Sequence, residues 1–145
     1  MDVLADTNII LRRLHRADPQ HHQARDAIAR FSTEGNRVCA TSQNLIELWA
    51  VSTRPVENNG LGLSTTQADR VVARIESFVF RLPDSDAVYP EWRRLVVEYG
   101  VSGKKAHDAR LVAAMTVNGI KHILTFNTAD FTRYAGITVL YPDKL

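Results

Sequence analysis

Short apolar runs alternate along the chain with longer stretches in which apolar residues return every three or four positions, predicting strands and helices in turn. Residues Asp2 to Ala5 form the first run. Asp6, Thr7 and Asn8 follow as a cluster of N-cap residue types, ahead of Ile9, Ile10, Leu11 and Leu14 at helical spacing. The pattern reads as strand, tight turn, helix. Pro19 suits a first helical turn, and Ala24, Ala27, Ile28 and Phe31 mark a second helix that Glu34-Gly35-Asn36 ends. Arg37 to Ala40 has the character of a buried strand, and Thr41-Ser42 can cap a helix carrying Leu45, Ile46, Leu48, Trp49 and Ala50.

The stretch from Thr53 to Ser64 collects Pro, Asn and Gly and reads as a loop, after which Ser64-Thr65-Thr66-Gln67 caps a helix with Ala68, Val71, Val72, Ile75 and Val79. Phe80 to Leu82 reads as a strand, Ala87 to Tyr99 as a helix, and Ala106 to Val117 as a helix with Ala109, Val112, Ala113 and Val117 on one face. Asn118-Gly119 closes it. His122 to Phe126 and Ile137 to Leu140 are the last strands, joined by a loop or short helical turn from Phe131 to Gly136. Such alternation predicts βαβ crossovers and a central parallel sheet with helices on both sides, an α/β sandwich. In these sheets ligands bind beyond the carboxyl ends of the strands, which directs attention to residues just after each strand.

At 145 residues the expectation is one domain, residues 1–145. No apolar stretch reaches the roughly 20 residues needed to span a bilayer, and no basic segment opens a secretory signal, so a cytoplasmic protein without a membrane partner is expected. Cys39 is the single cysteine, which excludes an internal disulfide and a thiolate metal cluster and points to a core position. The net charge of +2 is too mild to predict nucleic-acid binding. Arginines at 12, 13 and 16 and the Arg93–Arg94 pair suit phosphate oxygens, but they equally suit a solvated face.

Four acids fall where the strand-end rule points: Asp6, Glu47, Asp108 and Asp130. Singly, Asp6 can be a helix N-cap, Asp108 a first-turn carboxylate favoured by the helix dipole, and Asp130 a turn residue. Glu47 lies among Leu45, Ile46, Leu48 and Trp49, where a carboxylate is costly unless paired or bound to a cation. If the four converge, proton uptake or a divalent cation must relieve their repulsion, and oxygen-only ligation favours Mg²⁺ or Mn²⁺. Such a site polarises phosphodiesters and activates water, so hydrolysis of nucleic acid is its natural chemistry.

Four segments carry a family resemblance. Asp6-Thr7-Asn8-Ile9-Ile10 resembles the opening motif of the PIN domain, and Thr41 to Leu48 resembles its second motif with the Glu. His107 to Ala114 resembles the third and Leu124 to Phe131 the fourth, in order along the whole chain. The compact length and the loop from Arg54 to Leu63 look most like the VapC toxins of bacterial toxin–antitoxin pairs. The resemblance implies a PIN-like three-layer α/β/α sandwich with a mainly parallel sheet. It implies a Mg²⁺- or Mn²⁺-dependent endoribonuclease, homodimeric and restrained by a VapB-type antitoxin, that cuts structured RNA such as tRNA or rRNA and leaves a 5′-phosphate and a 3′-hydroxyl. Asp6, Glu47, Asp108 and Asp130 would hold the ions, Asp6 and Asp108 foremost, while Thr7 or Asn8 and Thr125 or Asn127 orient ligands or water. Arg12, Arg13, Lys104 and Lys105 are the candidates for gripping RNA.

Other readings stand beside this one: a nuclease of the same family in RNA processing, or a catalytically silent module whose acidic pocket receives a basic partner. A metal-independent ribonuclease would use His21, His22 or His107, although His21 and His22 point in different directions on a helix and read as surface residues. Asp18, His22 and Asp26 share one helical face that could bind zinc or simply be solvated. Trp49 and Trp92 read as core or dimer contacts.

Overall fold

A computed structural model describes all 145 residues. Five strands form one parallel sheet: β1 (Val3–Ala5), β2 (Val38–Ala40), β3 (Phe80–Arg81), β4 (His122–Leu124) and β5 (Thr138–Leu140), in the order β3-β2-β1-β4-β5. Six α-helices connect them: α1 (Thr7–Leu14), α2 (His21–Thr33), α3 (Ser42–Thr53), α4 (Thr65–Glu76), α5 (Val88–Glu98) and α6 (Lys105–Val117). Parallel neighbours cannot be joined by hairpins, so the first three crossovers carry two α-helices each, covering both faces, and the β4–β5 crossover carries a 3₁₀ turn at Thr128–Asp130.

Successive strand residues point to opposite faces and therefore to two different cores. Val3, Ala5, Val38, Ala40 and Leu124 face α1 to α4, where Ile9, Ile10, Ile28, Phe31, Leu48 and Ile75 are buried. Leu4, Cys39 and Ile123 face the other way, onto Leu95 of α5, the buried run of α6, Phe131 and Tyr134. The three layers expected from the alternation are present. Cys39 is fully buried as expected, and its apolar surroundings push the thiol pKa up to about 11.

Some local expectations shift. Pro19 lies outside α2, which begins at His21 after a turn. His21 is buried rather than on the surface, its Nδ1 2.9 Å from the Arg12 carbonyl oxygen. The interior of α6 is not one-faced: Ala109 and the whole run Leu111 to Met115 are buried between the sheet and α5. A helix covered on nearly all sides loses its amphipathic period. The segment after α3 is a loop as expected, and it contains a turn of 3₁₀ helix at Val56–Asn58. The amides of Leu61, Gly62 and Leu63 donate to the carbonyls of Val51, Arg54 and Ser52, which satisfies the end of α3. No helix is long and apolar enough to cross a membrane.

The topology creates one special position. From β1 the chain crosses first to β2 and β3 on one side and later to β4 and β5 on the other, so the connections diverge between β1 and β4. Neighbouring helices cannot close over the carboxyl ends there, and a crevice results.

Candidate functional site

Asp6 follows β1 at that crevice and is 8% exposed. Its Oδ1 accepts the Thr7 amide at 2.8 Å, capping α1, while Oδ2 accepts the Thr125 hydroxyl at 2.8 Å and the Asn8 amide group at 3.2 Å. Thr125 follows β4, so this hydroxyl ties together the ends of the two central strands. Asn8 completes the bridge by donating to Thr125 Oγ1 at 3.2 Å and accepting the Phe126 amide at 3.2 Å. Asn127 joins only through its backbone N–H, which donates to Thr125 Oγ1, and the residue is exposed.

Glu47 enters from α3, which is held against the crevice by its own N-terminus. Thr41 and Asn44 form a reciprocal capping box there, and the amide of the buried Asn44 donates to Thr7 Oγ1 at 2.9 Å. That fixes the Thr7 hydroxyl to donate to Glu47 Oε2 at 2.7 Å. The other oxygen, Oε1, accepts from Gln43 Nε2 at 3.0 Å, and the same Gln43 nitrogen donates to the His107 carbonyl at 2.9 Å, tying α3 to α6. Glu47 is therefore held by hydrogen bonds rather than pressed on apolar surface, and its neighbour Ile46 is 68% exposed. Gln43 and Asn44 were not singled out by sequence reading. The only signal for them was the capping pattern at Thr41.

Asp108 in the first turn of α6 and Asp130 after β4 complete the group. Asp108 makes no hydrogen bond, whereas Asp130 forms an ion pair with Lys105. The electrostatics record their proximity. Burial raises the Asp6 pKa above the ordinary carboxylate value, opposed by the hydrogen bonds from Thr125 and Thr7 and reinforced by the charges of Glu47 and Asp130. Asp108 is raised to about 6, first by burial and then by the charges of Asp130 and Asp6, with Lys105 opposing. Four carboxylates thus share one crevice with a single ammonium among them.

The oxygen-only donor set suits a hard divalent cation. The side chains do not surround a point: no three acids or histidines are close enough together to hold one ion, and Asp130 is turned to Lys105. The Asp18, His22 and Asp26 face forms no such group either.

The basic candidates divide. Lys105 belongs to the site through Asp130, and Arg12 borders it, donating to the Asn8 carbonyl and lying over the Phe126 ring at 4.9 Å. Lys104 is exposed and unpaired at the start of α6. Arg13 faces elsewhere. Its guanidinium sits 4.6 Å over Phe78 in a separate cleft with Arg16, His22, Arg25 and Arg74, a cleft lined by none of the four acids. On α5, Arg94 is spent on Glu91 and Glu98.

Comparison with known proteins bears on this geometry. No family model matches the chain. It is 27% identical to a protein named Ribonuclease VapC48 of Mycobacterium tuberculosis, over 94% of both chains. Among solved structures it resembles VapBC-1 of nontypeable Haemophilus influenzae, with a TM-score of 0.70 and 16% identity over 99% of this chain and 100% of that one. VapBC2 of Rickettsia felis, solved bound to a DNA fragment from its promoter, gives 0.69 at 16% identity over 97% and 98%. VapC20 of Mycobacterium tuberculosis, described as a Sarcin-Ricin loop cleaving toxin, gives 0.55 at 20% identity over 83% and 86%. The five-strand all-parallel sheet with its six helices is the fold of these structures.

Proposed function

We propose that this chain, whose resemblance to VapC-type PIN domains now stands on both sequence and fold, is the ribonuclease toxin of a toxin–antitoxin pair and hydrolyses RNA phosphodiesters at its four-carboxylate crevice. The observation that carries the reading is the convergence of Asp6, Glu47, Asp108 and Asp130 at the one sheet position where topology opens a cleft. Crowded carboxylates destabilise a fold and are retained where charge is needed for chemistry. Mg²⁺ or Mn²⁺, bound by Asp6 and Asp108 with Glu47 and Asp130, would supply charge neutralisation and a water acidic enough to attack phosphorus.

The chain's own residues do the rest. The Thr125, Asn8 and Thr7 bonds fix the two oxygens of Asp6, with Oδ1 accepting one bond and Oδ2 two. The Asn44–Thr7–Glu47–Gln43 relay fixes Glu47 in the same way. Lys105 holds Asp130 until a stronger cation competes for it, and Arg12 and Lys104 offer positive charge to the RNA backbone. Cleavage would leave a 5′-phosphate and a 3′-hydroxyl in a structured RNA such as tRNA or rRNA. A VapB-type antitoxin would restrain the toxin by bringing a basic side chain to the acidic crevice, and the active unit would be a homodimer.

The test is cleavage of total RNA and a tRNA pool by partner-free protein with Mg²⁺ or Mn²⁺, beside EDTA and Asp6→Ala lanes, with product ends mapped. Discrete cuts bearing 5′-phosphates, lost in both control lanes, are expected. Cuts that persist in EDTA would refute the metal mechanism. A folded protein that neither cuts RNA nor gains stability from either ion would be a binding module instead.

A further inference from the structure

A groove beside the N-terminal end of α6 meets the acidic crevice at Glu47, the one of the four acids that lines it. It shares Asp84, His107 and Arg110 with a second cleft of about 510 Å³, so the two adjoin. The second cleft is built around two aromatic rings. Tyr89 and Trp92 stack with centroids 5.7 Å apart and an interplanar angle of 29°. Trp92 donates its indole N–H to the Ala106 carbonyl at 2.8 Å, which fixes the ring and uses its only polar atom. Tyr89 is 63% exposed, a large flat apolar surface turned to water.

The polar groups around the rings are of two kinds. Arg110 stands between crevice and cleft, held by Gln43 Oε1 at 3.3 Å and by Asp84 at 3.6 Å. Asp84 and Asp86 place carboxylates in the cleft lining, and Asp86 forms no ion pair. A rigid aromatic platform stacks any base, and unpaired bases are the ones proteins read along their edges. Carboxylates only accept, so they select a base edge rich in N–H donors. Guanine presents two adjacent donors, N1–H and N2–H, that match the two oxygens of one carboxylate. Uracil presents one N–H between two carbonyl oxygens, which a carboxylate repels.

We propose that the Tyr89–Trp92 cleft is a nucleobase subsite that takes an unpaired guanine stacked on Tyr89, in an RNA strand whose backbone passes Arg110 to reach the acidic crevice. This rests on the ribonuclease reading and adds to it a source of sequence preference. An RNA strand reaches both clefts at once because they share walls, whereas an arginine of a protein partner, which also presents paired donors and stacks on rings, is the occupant the test below separates from it.

The test measures nucleotide binding to the full chain in EDTA, where no metal chemistry runs. GMP, AMP, CMP and UMP are titrated by calorimetry into wild type, Tyr89→Ala and an Asp84→Ala/Asp86→Ala double variant. GMP should bind at least about tenfold tighter than UMP, Tyr89→Ala should weaken GMP about tenfold, and the double variant should erase the preference for GMP. Equal binding of all four nucleotides, or GMP binding unchanged in Tyr89→Ala, overturns the proposal. So does a Tyr89→Ala variant that loses self-association or antitoxin binding while wild type ignores GMP, since the cleft is then a protein contact. A wild type that shows no preference for GMP yet cleaves RNA with metal strikes the subsite alone. GMP binding without any cleavage strikes the nuclease reading.

Discussion

Replacing Asp108 by Asn should make the metal-free protein more stable, although the residue is a proposed metal ligand. Asp108 forms no hydrogen bond, so the amide loses no partner. Its pKa is raised from 3.8 to about 6 by burial and by the neighbouring acids. The folded protein therefore holds a proton that the unfolded chain has released between those two values, and wild-type stability falls as pH rises through that window. Fully realised, a gap of that size is about 3 kcal/mol. The carboxylate is only half-buried, and solvent screening reduces this to about 1.5 kcal/mol. Asn also forgoes the favourable position of a negative charge in the first turn of α6, worth about 0.5 kcal/mol. The net gain is about 1 kcal/mol above pH 7, or roughly 3 °C in Tm for a chain of this length. Thermal unfolding in EDTA at pH 4 and at pH 7.5 measures it. The two proteins should be nearly equal at pH 4, the variant should lead at pH 7.5, and Mn²⁺ should reverse the order by stabilising wild type only. A variant less stable at pH 7.5, or a gain that does not change with pH, would refute the reasoning.

Three further outcomes follow from the same geometry. Lys105→Met frees Asp130 from its ion pair and should tighten Mn²⁺ binding by up to about fivefold, the effect of removing a competing exposed cation; calorimetry showing weaker binding would contradict the role given to Lys105. Thr125→Val removes the hydroxyl that bonds Asp6, Asn8 and the Asn127 amide, and should cost about 1–3 kcal/mol in urea unfolding; a neutral result would show that water replaces the hydroxyl. Gly60→Ala would put a Cβ 1.9 Å from the Arg54 carbonyl oxygen, so the loop after α3 must open at a cost on the order of 1–3 kcal/mol, read as a lower Tm and faster proteolysis within residues 54–63.

The competing explanations of Asp6 turn out to be compatible. One oxygen caps α1 as any N-cap aspartate would, and the other points across to β4, into the shared crevice. Lone reasoning about caps was right about half of the carboxylate. For Asp108 the helix-start position is likewise real, but burial first, and then the field of three other acids, makes the charge unfavourable there, which no local pattern contains. Arg12 and Arg13 show the opposite limit of adjacency: consecutive helix residues diverge by about 100°, so one borders the acidic crevice and the other joins a cationic cleft on α2 and α4.

What the residues determine alone is whatever depends on neighbours in the chain. Strand and helix order, the caps at Asp6, Thr41 and Ser64, and the burial of Cys39 follow from periodicity and capping chemistry, which act over a few residues. The enclosure of α6 and the burial of His21 depend on what another element covers, so local patterning misplaced them, while the segment after α3 is a loop as its residues indicate. The site divides in the same way. Motif order pointed to the four acids, but only the crossing of the chain between β1 and β4 joins Asp6 to Thr125, more than a hundred residues apart. The relay through Asn44 and Gln43 and the pairing of Lys105 with Asp130 come from helices packed over that crossing, because desolvation and Coulomb repulsion are properties of a place in space.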